Sequence, residues 1–203
     1  DVAMTDICFG FDTAVHIATE AIDRLHTTAT SHDRIIVVEG MGHNAGWLTA
    51  SSVLAKDGPE DAPHLVYVPE RPVSKETLLS EVERVYGRLG RVVIAMSEGV
   101  RDETGESLGT ALQQEVDVFG HKMKGGASDE VARLITAELG LKARVDRPNY
   151  LQRSFMAVAS PVDLEEAYQV ASQVEERVGA LVDKEDQSGA ADQVDVVVQV
   201  DPV

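Results

Sequence analysis

Three short stretches hold the residues best suited to chemistry. The first runs from Ser31 to Trp47: Ser-His-Asp-Arg, then Ile-Ile-Val-Val-Glu-Gly, then Met-Gly-His-Asn-Ala-Gly-Trp. It reads as a loop, a buried strand, a glycine turn and the start of a helix. Arg34 stands before the strand, and Met41, Gly42 and His43 follow it. A strand entering a glycine-bearing turn at a helix start offers backbone N–H groups and a positive dipole end, which suits an anionic ligand. The second stretch, Ser97-Glu98-Gly99, puts a carboxylate after another apolar run. The third, Arg144 to Arg153, supplies Arg144, Arg147 and Arg153 around Tyr150-Leu151-Gln152. Guanidinium forks match phosphate oxygens in pairs.

Other chemistries find less support. The histidines show no metal-ligand spacing, and His32, Asp33 and the nearby serines do not form a nucleophile with a defined base. Cys8 is the one cysteine, which leaves no internal disulfide and no cysteine-based metal cluster; in its apolar setting it reads as a packed thiol.

The elements that must position these residues alternate. Apolar spacing predicts a helix over 10–30, with Phe11, Val15, Ala18, Ile22 and Leu25 on one stripe. Residues 34–39 read as a strand covered on both faces, and Asn44 as the cap of a helix running to about Lys56. A strand over His64–Val68, a helix capped by Ser74 and a strand over Arg91–Met96 follow, and 102–109 reads as a loop. Ser128 opens a helix that Gly140 ends, Leu141–Val145 is a strand, and Arg147–Ser154 a loop. Ser160, Pro161 and Asp163 mark a helix start, and that helix runs to about Val182 on Leu164, Ala167, Ala171, Val174, Val178 and Leu181. Residues 184–193 are polar and expected to be mobile; Val194–Val200 has the look of an edge strand. Alternation with short connections implies an α/β fold with a largely parallel sheet, in which ligands sit at the carboxyl ends of strands. Gly40–His43, Ser97–Gly99 and Arg147–Arg153 all follow strands, so they can converge on one cleft.

Composition narrows the partners. A net charge of −17 gives no basic footprint for nucleic acid. An anionic ligand must therefore rely on a local cluster drawn from Arg34, Lys122, Lys124, Arg144, Arg147 and Arg153. No apolar run reaches the roughly 20 residues of a membrane span, and the N-terminus has neither the basic region nor the apolar core of a signal peptide. These features predict a cytoplasmic protein.

Ser31-His-x-Arg34, the strand ending near Glu39, and Met41-Gly42-x-x-Ala45-Gly46 together resemble the 6-phosphofructokinase family. The likeness extends from Asp1 to about Ala180 through Gly10-Phe11-Asp12-Thr13-Ala14 and Glu20-Ala21-Ile22-Asp23-Arg24. It implies a phosphofructokinase-like α/β fold, with residues 1–203 the C-terminal, sugar-phosphate-binding portion of such an enzyme. Asp1 would be the last Asp of the family's Thr-Ile-Asp-Asn-Asp motif and lie near a magnesium ion; the catalytic base would stand just upstream of it.

The resemblance implies phosphoryl transfer to fructose 6-phosphate, with pyrophosphate or ATP as donor and Mg2+ as cofactor. Arg34 resembles an arginine that reaches the sugar phosphate, in many members across a subunit boundary. Met41, Gly42 and His43 resemble a Met-Gly-Arg triplet contacting the sugar, with His43 in place of arginine. Glu98 resembles the glutamate that accepts from sugar hydroxyls. Arg144 with Tyr150, Leu151, Gln152 and Arg153 resembles the last phosphate-binding unit, in which Tyr150 replaces a common histidine. Tyr150 and the run Phe119-Gly-His-Lys-Met-Lys-Gly-Gly tilt the donor toward pyrophosphate. A homodimer or homotetramer with shared sites is implied. The alternatives are a catalytically silent sugar-phosphate-binding subunit and a kinase of another sugar phosphate.

Overall fold

The β-branched run after Arg34 forms the central strand of the sheet. In the computed structural model, which describes residue 8 and residues 10–32, 34–109 and 126–188 (side chains through 176, and 178), β1 spans Ile35–Gly40. It lies between β3 (Val92–Ser97) and β4 (Ala143–Asp146), and β2 (Leu65–Tyr67) flanks β3, giving the order β2-β3-β1-β4. All pairings are parallel, with Ile35 opposite Val92 and Ala143, and Leu65 opposite Ile94. This is the expected α/β fold.

Side chains alternate across the sheet because strand residues point to opposite faces in turn. Ile35, Val37, Val92, Ile94 and Met96 pack with Leu78, Val82 and Val85 of α3 (Lys75–Leu89) and with Val131 and Ile135 of α4 (Ala127–Leu139). Ile36, Val38, Val93 and Ala95 pack with Ile22 and Ala29 of α1 (Phe11–His32). Helices therefore cover both faces, as the unbroken apolar strands require.

Several local signals hold. The Ser74 hydroxyl accepts from the Thr77 N–H at 3.1 Å, and Gly90 and Gly140 end their helices at φ +68° and +65°. Others are corrected. Asn44 caps no helix: α2 spans only Trp47–Ser51 behind Gly46, then tightens into a 3₁₀ turn over Ser52–Ala55. The Asn44 side-chain Oδ1 instead accepts from Arg101 Nη2 at 2.9 Å. Ser128 is not a cap either; Gly126 precedes α4, and the Ser128 hydroxyl donates to Glu39 at 2.6 Å. Within the expected loop Arg147–Ser154, one helical turn, α5, forms over Leu151–Ser154. In α1 the buried positions are Thr13, Ala14, Ile17, Ile22 and Ala29, whereas Phe11 is exposed.

The last helix, α6 (Pro161–Ser188), runs past the expected end at Val182. Its stripe of Leu164, Ala167, Ala171, Val174 and Val178 is exposed rather than buried, whereas Asp163 near its start is held against Gly10 and Thr13. The expected strand at Val194–Val200 lies outside the described residues. No helix among the described residues is long and apolar enough to cross a membrane.

The starts of α1 and α6 cap each other. The Asp163 carboxylate accepts from the N–H groups of Gly10 and Thr13, both at 2.7 Å, and from the Thr13 hydroxyl at 2.5 Å. The Thr13 hydroxyl in turn accepts from the Ser160 N–H at 2.9 Å. Asp163 thus acts as the missing cap of a distant helix rather than closing a capping box on its own.

Two expectations follow. Asp163→Ala leaves the α1 donors without a protein acceptor and should lower stability by about 1–2 kcal/mol in chemical denaturation. At the start of β2, His64 Nδ1 accepts from the Val93 N–H at 2.8 Å, so the ring must be neutral to hold that bond. Burial, with the neighbouring charges of His26, Lys56 and Arg91, pushes its pKa from 6.5 to about 4. A depressed imidazole contributes fully above pH 6.5, and that contribution is lost as pH falls toward 4. Denaturation curves should record that loss, and His64→Asn, which keeps an acceptor but does not titrate, should flatten it.

Candidate functional site

The site begins where β1 ends. Gly40 leads into Met41-Gly42-His43, with Gly42 at φ +140° and His43 at φ +33°. A side chain at Gly42 would lie 2.3 Å from the Ala45 carbonyl, so glycine is required. The turn closes through the Ala45 N–H donating to the Gly42 carbonyl at 2.5 Å.

The amides of this turn are not free for an anion, contrary to the simple reading of a glycine turn. Glu98 Oε1 accepts from the Gly42 N–H at 3.3 Å and the His43 N–H at 3.0 Å. Glu70 accepts from the Gly46 N–H at 2.8 Å, and Gln152 Oε1 from the Met41 N–H at 3.2 Å. Helix α2, with five residues, adds little dipole of its own.

Glu98 arrives at this position from the end of β3, and its N–H donates to the Gly40 carbonyl at 3.1 Å. His43 Nδ1 stands 3.7 Å from Glu98 Oε1, within ion-pair range when protonated. The approach of the two loops is so close that a Cβ on Gly99 would fall 1.5 Å from the His43 carbonyl oxygen. The third loop, after β4, contributes α5. There the Arg153 guanidinium lies 4.8 Å from the centroid of the Tyr150 ring, a cation–π contact on an exposed aromatic. Leu151 is exposed and lines a cleft of about 460 Å³ with Pro148, Phe155, His16 and Arg24.

Met41, Gly42, His43, Glu98 and Gln152 are thus joined by hydrogen bonds, with Tyr150 and Arg153 on the adjoining turn. Gln152 sits differently from the expectation: it is 1% exposed, with its Oε1 bonded to Met41 and its Nε2 donating to the Asn149 carbonyl at 3.1 Å. Arg34 and Arg144 do not join this group. Arg34 precedes β1, and Arg144 pairs beside Ile36 near that same end. The whole of β1 separates Arg34 from Met41, roughly 20 Å or more at about 3.3 Å per residue, and Arg144, opposite Ile36, stands about one residue nearer than the strand's start. Arg147, expected in the cationic cluster, is instead held by Glu39 at 3.0 Å and by Asp129. Asp1, His121, Lys122 and Lys124 lie outside the described residues. Among the described residues no three His, Cys, Asp or Glu side chains gather as a metal site.

Sequence reasoning missed Glu39, Ser128 and Glu70 as builders of the site. An acid in an otherwise apolar buried strand was a usable signal for Glu39, since such a charge needs a partner.

A family model described as Phosphofructokinase matches residues 1–147. This chain belongs to the phosphofructokinase family. It is 37% identical over 175 residues to the pyrophosphate--fructose 6-phosphate 1-phosphotransferase of Xanthomonas campestris, covering 84% of this chain and 41% of the relative. It is 37% identical over 154 residues to ATP-dependent 6-phosphofructokinase 3 of Streptomyces coelicolor, covering 75% and 43%. The pyrophosphate-dependent phosphofructokinase of Marinobacter aquaeolei superimposes with a TM-score of 0.70 at 26% identity, over 88% of this chain and 42% of that one. The chain therefore spans about two-fifths of the length of these phosphofructokinases.

The Gly99 contact gives a direct check on the geometry. Gly99→Ala forces the Met41–His43 turn away from Glu98 and should cost about 1–3 kcal/mol in denaturation. Gly87→Ala, inside α3 with open space around it, should stabilise by about 0.5–1 kcal/mol.

Proposed function

We propose that the full-length protein transfers a phosphoryl group to the 1-hydroxyl of fructose 6-phosphate, as a cytoplasmic glycolytic enzyme. The observation that carries this reading is the linkage of Met41–His43, Glu98 and the Tyr150–Arg153 turn at the carboxyl ends of neighbouring parallel strands. In it, Glu98 uses Oε1 to hold the turn and offers Oε2 to sugar hydroxyls. Arg153 supplies the charge for the 6-phosphate and keeps its aim by resting on Tyr150. His43 approaches the sugar beside Glu98. Such a reaction is accelerated by positioning and by charge stabilisation rather than by covalent chemistry.

Arg34 and Arg144 stand at the other end of β1. Their place supports a site shared between two copies, in which a second copy lends both arginines and the assembly is a homodimer or homotetramer. Pyrophosphate is the donor we favour, on Tyr150 and the Phe119–Gly126 segment; relatives named for either donor leave ATP as the competing choice. Among the described residues no three His, Cys, Asp or Glu side chains gather to hold the magnesium ion. His43 in place of arginine favours one rival reading, a sugar-phosphate-binding subunit that does not turn over.

The test is formation of fructose 1,6-bisphosphate by the full-length protein from fructose 6-phosphate and magnesium, with pyrophosphate or ATP. Turnover with one donor establishes the activity and its donor; binding without turnover establishes the silent subunit. In the active protein Arg153→Ala should raise the KM for fructose 6-phosphate by on the order of a hundredfold, the loss expected for a charged contact. An unchanged KM would remove Arg153 from the site.

A further inference from the structure

Glu39 is 8% exposed at the end of a strand whose other side chains are apolar, and every partner it has belongs to a distant segment. Its Oε2 accepts from the N–H and hydroxyl of Ser128, at 3.1 and 2.6 Å. Its Oε1 accepts from Arg147 Nε at 3.0 Å. Arg147 Nη2 then donates to the Ser128 hydroxyl at 2.9 Å and to Asp129. Two carboxylates hold the guanidinium, so it is not aimed at a phosphate. A well-packed apolar pair could serve stability as well as this one. What the polar pair adds is a fixed geometry.

That geometry bears on the segment after β4. Arg147 is the first residue beyond the strand. Pro148 fixes φ, the Pro148 carbonyl accepts from the Leu151 N–H at 3.0 Å, and the Tyr150 carbonyl accepts from the Arg153 N–H at 3.1 Å. From Arg147 to Arg153 the chain is a short stiff lever. It is fastened at one end by Arg147 to Glu39 and near the other by Gln152 to the Met41 N–H. Both anchors lie at the end of β1, two residues apart in sequence.

We propose that Arg147, clamped by Glu39, is a positioning residue that sets the Tyr150–Arg153 turn against Met41–His43. Its consequence for substrate rests on the reading of that turn as a sugar-phosphate site. Gln152 is the second fastening. With the Arg147 tie removed, the lever pivots on Gln152, the Met41 amide loses its acceptor part of the time, and Arg153 loses its aim.

The test uses the full-length protein with the paired substitution Glu39→Gln/Arg147→Met, which leaves no unpaired charge at Glu39, and with Arg147→Lys, which keeps charge but not the fork. Two readouts are followed: amide exchange at Met41, and kcat and KM for fructose 6-phosphate. The paired variant should exchange at Met41 on the order of tenfold faster and show a KM on the order of tenfold higher, with Arg147→Lys intermediate. A melting temperature lowered with Met41 exchange and KM both unchanged overturns the proposal, because that is the mark of a purely structural pair. If the paired variant does not fold, Arg147→Lys decides by the same two readouts. If the parent protein neither binds nor converts fructose 6-phosphate, the functional reading fails, and Met41 exchange alone still decides whether Arg147 positions the turn.

Discussion

A carboxylate shut away from water at the end of the central strand sets the terms for the loops around it. Removing the partner of such a buried charge costs about 3–5 kcal/mol, so the surrounding chain is obliged to satisfy it. Glu39 draws in the first turn of α4 and the residue after β4. The end of β1 is thereby crowded with segments far apart in sequence, and the candidate site forms in that crowd.

The acidity of the chain takes on meaning at this scale. The net charge of −17 describes an unfavourable field for a phosphate, yet several acids act inward. Glu98 and Glu70 hold turn amides, Glu39 holds Ser128 and Arg147, and Asp163 holds the start of α1. Carboxylates supplied from other segments take the place of the anion that a glycine turn with free amides binds. The consequence is that recognition of a phosphate falls to arginines such as Arg153, and the backbone is left to build the turn.

The sheet was legible because its strands are covered on both faces and so appear as unbroken apolar runs; β1 and β3 were placed within a residue of their bounds. Glycine stops and the Ser74 cap were legible because they are local. Long-range satisfaction was not. Asn44 and Ser128 have the right residue type for caps, but each found a partner in another segment, Arg101 and Glu39. The stripe on α6 announces an amphipathic helix and does not say whether anything covers it. At the site, residue types along Met41–His43, Glu98 and Arg153 drew attention to loops that the fold brings together. The inward turn of Gln152 and the capture of Arg147 depend on geometry that spacing alone does not encode.

The exchange of caps between α1 and α6 joins positions some 150 residues apart in the chain. Gly10, Thr13, Ser160 and Asp163 hold one another through both hydrogen-bond directions, and neither helix start is complete by itself. Such a set is constrained in descent as well as in folding. A change at Thr13 alone deprives Ser160 of an acceptor, and a change at Asp163 alone strands two amides of α1. Lineages of this protein should therefore alter the two positions together or keep both, and sequence drift in the first helix is tied to drift in the last.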